Sequence, residues 1–295
     1  MRRRNKKRED GGLFPAINNL ILLCLLVICF YPLFYVLLAS LSDSSLLMAH
    51  RGLLAKPLGF TLLSYSKVFD YPMVLTGYGN TLFVVVMGTL VNMLMTTLGA
   101  YFLSRKKVLL QGPVLALILI TMFFSGGLVP LYLLVKSLHL DNTLWSLILP
   151  TAVNTFNLII LRTGFAGIPD SLEESAKIDG ANPWTVFTRI CLPLVKPTLA
   201  VIVLYYAVDR WNAWFYAAIF LNDRNLFPLQ LVLREILILN DTNAMTGGTN
   251  VGDVQGVSES IKYTVIIVAT LPILFVYPFL QKYFVKGVMV GAVKG

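Results

Sequence analysis

The sequence predicts an all-α integral membrane protein with six transmembrane helices, and three observations support this. Of its 295 residues, 57% are hydrophobic and only 13% are charged, whereas soluble domains have about 45–50% apolar and about 25% charged residues. Six long segments contain almost no charged residues. The net charge is +9, and most lysines and arginines flank these segments, which is a pattern of membrane topology and not of nucleic-acid binding.

Each of the six segments is long enough to cross the hydrocarbon core, because one helical span takes about 20 apolar residues. We predict helices at about 13–42, 76–103, 113–135, 143–162, 197–219 and 262–282. The first helix follows a basic tail at 1–12, but it is too long for the apolar region of a signal peptide, which has about 7–15 residues. We therefore expect an uncleaved first span.

The distribution of lysine and arginine predicts that both termini are cytoplasmic. With that orientation, 16 of the 24 positive residues lie in inner segments, and positive residues favour the cytoplasmic side. These inner segments are the tail 1–12, the turn 105–107, the loop with its flank at 162–196, and the C-terminal end from residue 282.

The outer segments and the domain bounds follow from this topology. We predict outer segments at 43–70 and 223–260, a core domain of spans two to six at 71–283, an inner loop at 163–196, and a cytoplasmic tail at 284–295. The second outer segment begins near LFPLQLVLREILILN, which is too short and too charged to cross again and predicts a helix at the outer surface. The part that follows is rich in Gly, Asn and Thr and predicts a loop.

The sequence argues against a metal site, a disulfide framework and an ATP site on this chain. The three cysteines, Cys24, Cys29 and Cys191, form no paired motif and the two histidines are isolated, so we expect neither a metal nor a disulfide. The GxxxxGK[ST], HExxH and GxSxG motifs are absent, which argues against phosphate binding and hydrolase chemistry. We expect no cofactor and no catalytic residue on this chain.

The inner loop between the fourth and fifth spans predicts two helices joined by a tight turn. Ser171 with Glu174 three positions later has the spacing of a capping box and predicts a helix start. Gly180 predicts the end of that helix, because glycine accepts a left-handed backbone. Asn182 would cap a second helix, with Pro183 at its first position.

The second helix of the loop is predicted to stop at Pro193, since proline cannot continue a helix. Helical spacing predicts two shared apolar faces, one of Leu172 with Ala176 and one of Trp184 with Phe187 and Ile190. A compact knob with an apolar face and a polar rim would fit a socket on a partner protein. From these residues alone, however, an amphipathic inner loop more often packs on its own bundle or lies on the membrane.

The spacing of Glu174-Ser175-Ala176, then Gly180, then Ile190-Cys191-Leu192-Pro193 resembles the EAA loop of ABC-importer permeases. The family pattern is E-A-A-x3-G-x9-I-x-L-P, and the chain departs from it only by Ser175 in place of the first alanine. Further similarity covers most of the chain, at IDGA (178–181), LPLVKP (192–197), Trp211-Asn212 and GAVKG (291–295). These sequences resemble the carbohydrate-uptake branch, of the maltose/oligosaccharide type.

The resemblance implies a transport subunit of the bacterial inner membrane with the type I ABC importer (MetI-like) fold, and not an enzyme. In this family the EAA helix docks in a cleft of a separate ABC ATPase, which binds ATP and Mg. Closure of the ATPase pair rocks the spans between inward-open and outward-open states. A second homologous permease completes the pathway, and an extracytoplasmic solute-binding protein delivers the carbohydrate.

The residues that this resemblance assigns to ATPase coupling are Glu173, Glu174, Ser175, Ala176, Asp179, Gly180, Ala181, Trp184, Phe187, Ile190, Leu192 and Pro193. No catalytic or metal-binding residue is implied.

A second group of candidate residues surrounds two charges in the fifth span. Asp209 and Arg210 lie near its middle, where a charge costs roughly 2.5–3.5 kcal/mol, so such residues usually face a partner or a watery path. Neighbouring residues do not face each other on a helix, so these two need not pair. The candidates for the solute path are Tyr205, Tyr206, Asp209, Arg210, Trp211, Asn212, Trp214, Asn154 and Asn157.

These candidates have alternative interpretations. The aromatic residues of the fifth span could anchor it at the outer interface, where Trp and Tyr are enriched. Asn154 and Asn157, like Asn80 and Asn92, could make only hydrogen bonds between helices. An Arg210 that faces the path would favour an anionic sugar.

Two other functions fit parts of the sequence. A permease for a non-sugar solute would have the same loop, since the sugar assignment depends on the resemblance. A secondary transporter that works alone would explain the intramembrane charges, but it gives no reason for the spacing of the loop. Such transporters tend to carry internal repeats, and we find none in the sequence.

Overall fold

The computed structural model describes residues 13–105, 108–245 and 260–275. Within these ranges all regular elements are helices. Backbone pairing of the β type occurs there only as one isolated bridge, between Ser42 and Phe60. The all-α fold class is therefore confirmed for the described ranges. They divide into two compact units, one of residues 13–68 with 239–245 and 260–268, and one of 69–105 and 108–238 with 269–275.

The first unit contains the N-terminal helices. These are α1 (Leu13–Ser40), α2 (Ser44–Ala49) and most of α3 (Leu63–Phe69). Helix α1 is apolar all round and exposed along most of its length, as expected of a helix that faces lipid. The carboxylate of Asp43 caps α2 by accepting the N–H groups of Ser45 and Leu46 at 3.0 and 3.3 Å. Its hydrogen bond from the Ser45 hydroxyl is the main cause that lowers the pKa of Asp43.

The second unit holds the helices that carry the candidate sites. They are α4 (Pro72–Ser104), α5 (Gln111–Phe123), α6 (Leu128–Ser137), α7 (Thr155–Ala166), α8 (Asp170–Ile178), α9 (Pro183–Leu194), α10 (Lys196–Asn212) and α11 (Phe215–Phe220). Two further helices, α12 (Leu229–Met245) and α13 (Ser260–Phe275), contribute residues to both units.

Helix α4 is the centre of the second unit. Its 33 residues extend over about 50 Å at 1.5 Å per residue, and it packs on α7 and α10. Several buried positions on α4 are small, among them Gly88, Thr96 and Ala100, which lets helix backbones approach closely. Towards the end of α4, Leu103 packs with Phe165 of α7 in the core.

Two described helices are long and apolar enough to cross a membrane, namely Pro15–Ser40 and Pro72–Ser104. Two bent pairs also qualify if each counts as one span. In the first pair, Gln111–Phe123 and Leu128–Ser137 meet at 116°, and in the second, Pro183–Leu194 and Lys196–Asn212 meet at 80°.

The predicted span at 113–135 is divided into two helices, because the chain breaks between α5 and α6. Gly127, just before α6, has a positive φ of 87°, which a glycine adopts without strain.

The predicted helix at 143–162 is wrong in its first half. A 3₁₀ turn occupies Leu144–Leu147, and the α-helix begins only at Thr155. Pro150 lacks the N–H that a helix interior requires. Asn154 caps α7 instead of continuing a helix, and its Oδ1 accepts the N–H of Asn157 at 3.1 Å.

The predicted helix at 197–219 is interrupted after Asn212, and α11 begins at Phe215. On either side of this break the aromatic rings have separate tertiary partners: the indole of Trp211 donates to the carbonyl of Ala269, and the ring of Trp214 stacks on Arg234. These contacts accompany the loss of a continuous helix.

The helix predicted in the second outer segment is confirmed as α12 (Leu229–Met245). Several predicted features lie outside the described residues. They are the basic tail 1–12, residues 106–107, the part beyond Met245 of the loop predicted from NDTNAMTGGTNVGDVQG (240–256), the end of the sixth predicted span, GAVKG at 291–295 and the tail 284–295. For the first six residues of that loop the prediction is wrong, because α12 continues to Met245.

Candidate functional site

The predicted knob is present as α8 and α9, joined by a tight turn. Gly180 has a φ of +80°. The N–H of Ala181 donates to the carbonyl of Ala176 at 2.9 Å, and the N–H of Gly180 donates to that of Lys177 at 3.1 Å. These are the two hydrogen bonds of a Schellman motif, so the predicted helix end at Gly180 is confirmed.

The start of α9 is also as predicted, whereas the start of α8 is not. Asn182 Oδ1 accepts the N–H of Thr185 at 2.7 Å, with Pro183 at the first position. In α8 the cap position belongs to Pro169, and Ser171 already lies within the first turn. The predicted capping box is therefore wrong, since Pro169 starts the helix before Ser171 could cap it.

Helix α9 has a π-helical stretch at Val186–Cys191, which changes the predicted apolar face. Val186, Phe187 and Cys191 enter the core, while Trp184 is 64% exposed although its ring lies 5.5 Å from that of Phe187. The wider π turn accounts for this difference from regular helical spacing. The helix also continues through Pro193 to Leu194, one residue beyond its predicted end.

The residues assigned to coupling fall into three groups by burial. Exposed are Glu174, Ser175, Asp179, Gly180, Trp184 and Pro193; half-buried are Ala176, Ala181, Ile190 and Leu192; buried are Glu173 and Phe187. The exposed group, together with Ile178, which is 86% exposed, forms a mixed polar and apolar surface on the knob. We call this exposed group and Ile178 the docking surface.

Glu173 is turned into the protein and not towards this surface. Its carboxylate contacts the guanidinium of Arg105 and accepts the thiol of Cys191 at 3.5 Å. Burial is the main cause that raises the pKa of the Cys191 thiol, so at neutral pH the thiol is protonated and donates. Arg105 was missed by the sequence reasoning, which counted it only as a charge at the end of a span.

A second candidate site is a cavity of about 290 Å³, which we call the polar pocket. It lies between the start of α7 and one face of α10. Its lining residues are Asn154, Phe156, Asn157, Tyr205, Tyr206 and Asp209. Five of these were predicted path residues, and Phe156 was missed because the sequence marks it only as one apolar residue among many.

The polar pocket has a fixed wall and an exposed rim. The hydroxyl of Tyr206 lies 2.6 Å from Thr96 Oγ1 on α4 and accepts the N–H of Asn154 at 3.0 Å. These bonds hold the pocket wall between three segments of the chain. Asp209 and Tyr205 are exposed at the rim, where hydroxyl groups of a solute could bind.

Arg210 faces away from the polar pocket and is 4% exposed. Its guanidinium donates to the carbonyl oxygens of Leu147 and Thr151 at 2.6 and 2.7 Å, to Thr151 Oγ1 at 2.7 Å, and to Asn92 Oδ1 at 3.2 Å. Arg210, a predicted path residue, therefore does not line the polar pocket. Its physical role is to satisfy carbonyl groups of the irregular segment 144–154, which a helix would have satisfied internally.

Gly88 makes room for this arginine. A Cβ at Gly88 would lie 3.3 Å from both Cδ and Nε of Arg210. Sequence reasoning missed this contact, because nothing in the chain relates a glycine of α4 to an arginine of α10.

The other predicted path residues of this region also lie away from the polar pocket. Trp211 is buried, donates from its indole N–H to the carbonyl of Ala269 at 3.0 Å, and has its ring 6.2 Å from that of Tyr78. The amide of Asn212 bonds to its own helix at Val208, and the ring of Trp214 lies 3.9 Å from the Arg234 guanidinium.

Asn80 and Asn92 make hydrogen bonds between segments, as their alternative interpretation predicted. Asn80 donates to the carbonyl oxygens of Asn225 and Phe227 at 2.7 and 3.1 Å, and Asn92 accepts from Arg210.

Comparison with known proteins decides the family. Residues 109–290 match the sequence profile of the binding-protein-dependent transport system inner membrane component. The chain belongs to this family. The predicted resemblance to ABC-importer permeases is thereby confirmed, and the protein is a multi-pass permease of the bacterial inner membrane.

Similar proteins cover nearly the whole permease. It is 45% identical to protein LplC of Bacillus subtilis over 97% of each chain. It is 42% identical to the polygalacturonan/rhamnogalacturonan transport system permease protein YtcP of the same organism, over 96% of this chain and 99% of that one. A crystal structure of a bacterial ABC transporter that imports the acidic polysaccharide alginate matches with a TM-score of 0.83 and 29% identity, over 96% of this permease and 100% of that chain.

Membership of the family implies partners. Importers of this kind work as complexes in which a permease is combined with an ATPase and a substrate-binding protein. The permease is a transport subunit of such a complex.

Proposed function

We propose that this permease imports a carbohydrate, in particular an oligosaccharide, and that it is coupled to a separate ATPase through the docking surface. The observation that carries the coupling is the Schellman turn at Gly180, which presents Glu174, Ser175 and Trp184 outward at the spacing of the EAA loop. The sugar assignment is supported by the names of relatives that transport polygalacturonan and arabinooligosaccharides.

The proposed complex has five subunits: this permease, a second permease, two ATPases and a binding protein. The two ATPases bind ATP and Mg, so ATP hydrolysis occurs on a partner chain and this permease binds no cofactor itself. A second, homologous permease completes the pathway, and an extracytoplasmic binding protein delivers the sugar.

The proposed topology has six spans with both termini in the cytoplasm and a core domain at 71–283. The basic residues of the inner segments support it, since positive residues favour the cytoplasmic side. In this arrangement the docking surface faces the cytoplasm.

We further propose that the polar pocket is part of the solute pathway. It combines two aromatic rings at Phe156 and Tyr205 with amide groups at Asn154 and Asn157 and a carboxylate at Asp209. Aromatic faces suit the C–H surfaces of a sugar, and amide and carboxylate groups suit its hydroxyls.

Copurification tests the coupling. The permease would be expressed with its ATPase, second permease and binding protein, and purified through a tag on the permease. Glu174→Lys reverses an exposed charge on the docking surface, and Gly180→Pro is incompatible with a φ of +80°, because proline fixes φ near −65°. Ser171→Ala, exposed on the same helix outside the docking surface, is the matched control.

We expect the ATPase to copurify with the unmodified permease and with Ser171→Ala, and to be lost with the two loop variants. A permease that purifies alone and still transports would contradict the proposal and favour a transporter that works by itself.

A further inference from the structure

One arginine joins the coupling loop to the ends of two membrane helices. The guanidinium of Arg105, immediately after α4, contacts the carboxylate of Glu173 in α8. It also donates to the carbonyl of Phe165 in α7 at 3.2 Å and to the hydroxyl of Ser104 at 3.0 Å. The Cζ atom of Arg105 lies 4.8 Å from the centre of the Tyr101 ring. Arg105 thus links α4, α7 and α8 at one point.

Glu173 is the buried anchor of α8. Of the nine residues of this helix, all of them described, Glu173 is the one that is buried. Apolar contact is non-directional, whereas a charge-assisted hydrogen bond fixes both distance and direction. Ala176 of α8 also packs against the core, but the ion pair is the contact that fixes the direction in which α8 is attached to the transmembrane helices.

The surroundings of the pair make its loss consequential. The side chains of Arg105 and Glu173 are 16% and 9% exposed, so salt and water screen their attraction less than at an open surface. Removal of one partner would leave the other as an uncompensated charge in a largely buried place.

The two helices that Arg105 holds extend from this point to the polar pocket. Helix α7 ends near Phe165 and begins beside Asn154 and Asn157, which line the pocket. Helix α4 carries Thr96, whose hydroxyl bonds to Tyr206 in the pocket wall. A displacement of α8 that is passed through Arg105 would therefore reach the pocket through both helices.

We propose that Arg105 and Glu173 form a positioning pair that holds α8 rigidly on α4 and α7 while the ATPase moves the loop. This inference rests on the proposed coupling function and gives it a transmission point. Neither residue touches ATP or solute; both act by keeping the docking surface and the membrane helices in one rigid body.

Distance measurements between spin labels in the assembled complex test the pair. One label would replace Ser171, which is exposed on α8 outside the docking surface, and the other Met95, which is 51% exposed on α4, with the three native cysteines changed to serine. Distances would be measured without nucleotide and with ATP for the unmodified permease, Arg105→Ala, Glu173→Ala and the double variant. Arg162→Ala is the matched control, because Arg162 donates to the carbonyl of Leu103 in the same corner of the protein and bonds to α4 instead of α8.

We expect one narrow distance, unchanged by ATP, for the unmodified permease and for Arg162→Ala. Each single variant should broaden the distance and make it shift with ATP. The double variant should be no broader than either single variant, because the effects of two residues that act only through each other do not add.

Narrow distances in both single variants would overturn the inference, as would a double variant clearly broader than either single one. Failure of the proposed function would look different: no ATPase would copurify with the unmodified permease. In that case the distances without nucleotide would still decide whether the pair holds α8 on α4.

Discussion

Asp209 and Arg210 are neighbours in the chain, but they face opposite surroundings. The carboxylate lies at the exposed rim of the polar pocket, and the guanidinium is buried among backbone carbonyls of the segment 144–154. An intramembrane charge is commonly a sign of function. Here the carboxylate of Asp209 is exposed at the pocket rim, while the guanidinium of Arg210 stabilises irregular backbone.

Substitution of Arg210 should therefore lower stability, and substitution of Asp209 should not. Arg210→Met leaves the carbonyl oxygens of Leu147 and Thr151 without their donors, at about 1–3 kcal/mol for each buried unsatisfied group. Thermal unfolding in detergent would measure this, with Asp209→Asn as the neighbouring control. Equal melting temperatures for the two variants would contradict the structural role of Arg210.

Gly88 should be sensitive to a single added methyl group for the same reason. In Gly88→Ala the new Cβ would lie 3.3 Å from Arg210 Cδ and Nε, whereas a Cβ at Gly79 of the same helix meets nothing within 4 Å. Alanine in place of glycine within a helix otherwise stabilises by roughly 0.5–1 kcal/mol. We expect Gly79→Ala to raise the melting temperature and Gly88→Ala to lower it; a rise in both would show that Arg210 can move aside.

At the scale of elements, local rules predicted the turn between α8 and α9 but not the segment before α7. The Schellman turn depends on Gly180 and on the hydrogen bonds of adjacent residues, and Asn182 caps the helix that follows. The segment 144–154 depends on Arg210, which lies 59 residues beyond Thr151 in the chain and donates to the Thr151 hydroxyl. Its apolar sequence favours a helix, and only the tertiary contact supplies the partners that an irregular backbone needs.

The same distinction explains which site residues were predicted. Asn154, Asn157, Tyr205, Tyr206 and Asp209 were found by residue type, and they do meet in the polar pocket. It was not predicted that Asp209 lines the pocket while Arg210 and Trp211 are buried elsewhere. Neighbouring residues point to different sides of a helix, but the sequence does not show which side meets the solvent. The π-helical stretch of α9 was not predicted either, because none of the sequence patterns applied above indicates one.

The turn itself leads to a prediction about backbone conformation. A Cβ at Gly180 or at Gly112 would meet nothing within 4 Å, but only Gly180 has a positive φ, of +80°. Alanine there would be strained by about 1–2 kcal/mol, so Gly180→Ala should weaken copurification of the ATPase and increase protease cleavage of the loop. Gly112→Ala should leave both unchanged; if the two variants behave alike, the left-handed turn does not matter for docking.

At the scale of the whole molecule, the second unit contains both the docking surface and the polar pocket, and the core of Leu161, Phe165 and Tyr206 lies between them. The two sites therefore share one packed body and not a flexible connection. This arrangement suits the proposed coupling, in which motion passes from the ATPase to the polar pocket.

Uptake measurements would separate the pocket from its surroundings. We expect Asp209→Asn and Tyr205→Ala to reduce uptake of a labelled oligogalacturonate mixture by roughly tenfold, as for the loss of a binding contact worth about 1.4 kcal/mol, while the ATPase still copurifies. Asn212→Ala, which removes an exposed amide bonded only within its own helix, is the control. Normal uptake by the two pocket variants would exclude the polar pocket from the pathway.

The bend of 80° between α9 and α10 has a mechanical consequence. Val195 at the corner is buried in the core, so the corner between the two helices is held by packing. Helix α9 carries Trp184 of the docking surface, and α10 carries Asp209 of the polar pocket. A rotation of this packed body about the corner would therefore move Trp184 and Asp209 at the same time, in different directions set by the bend.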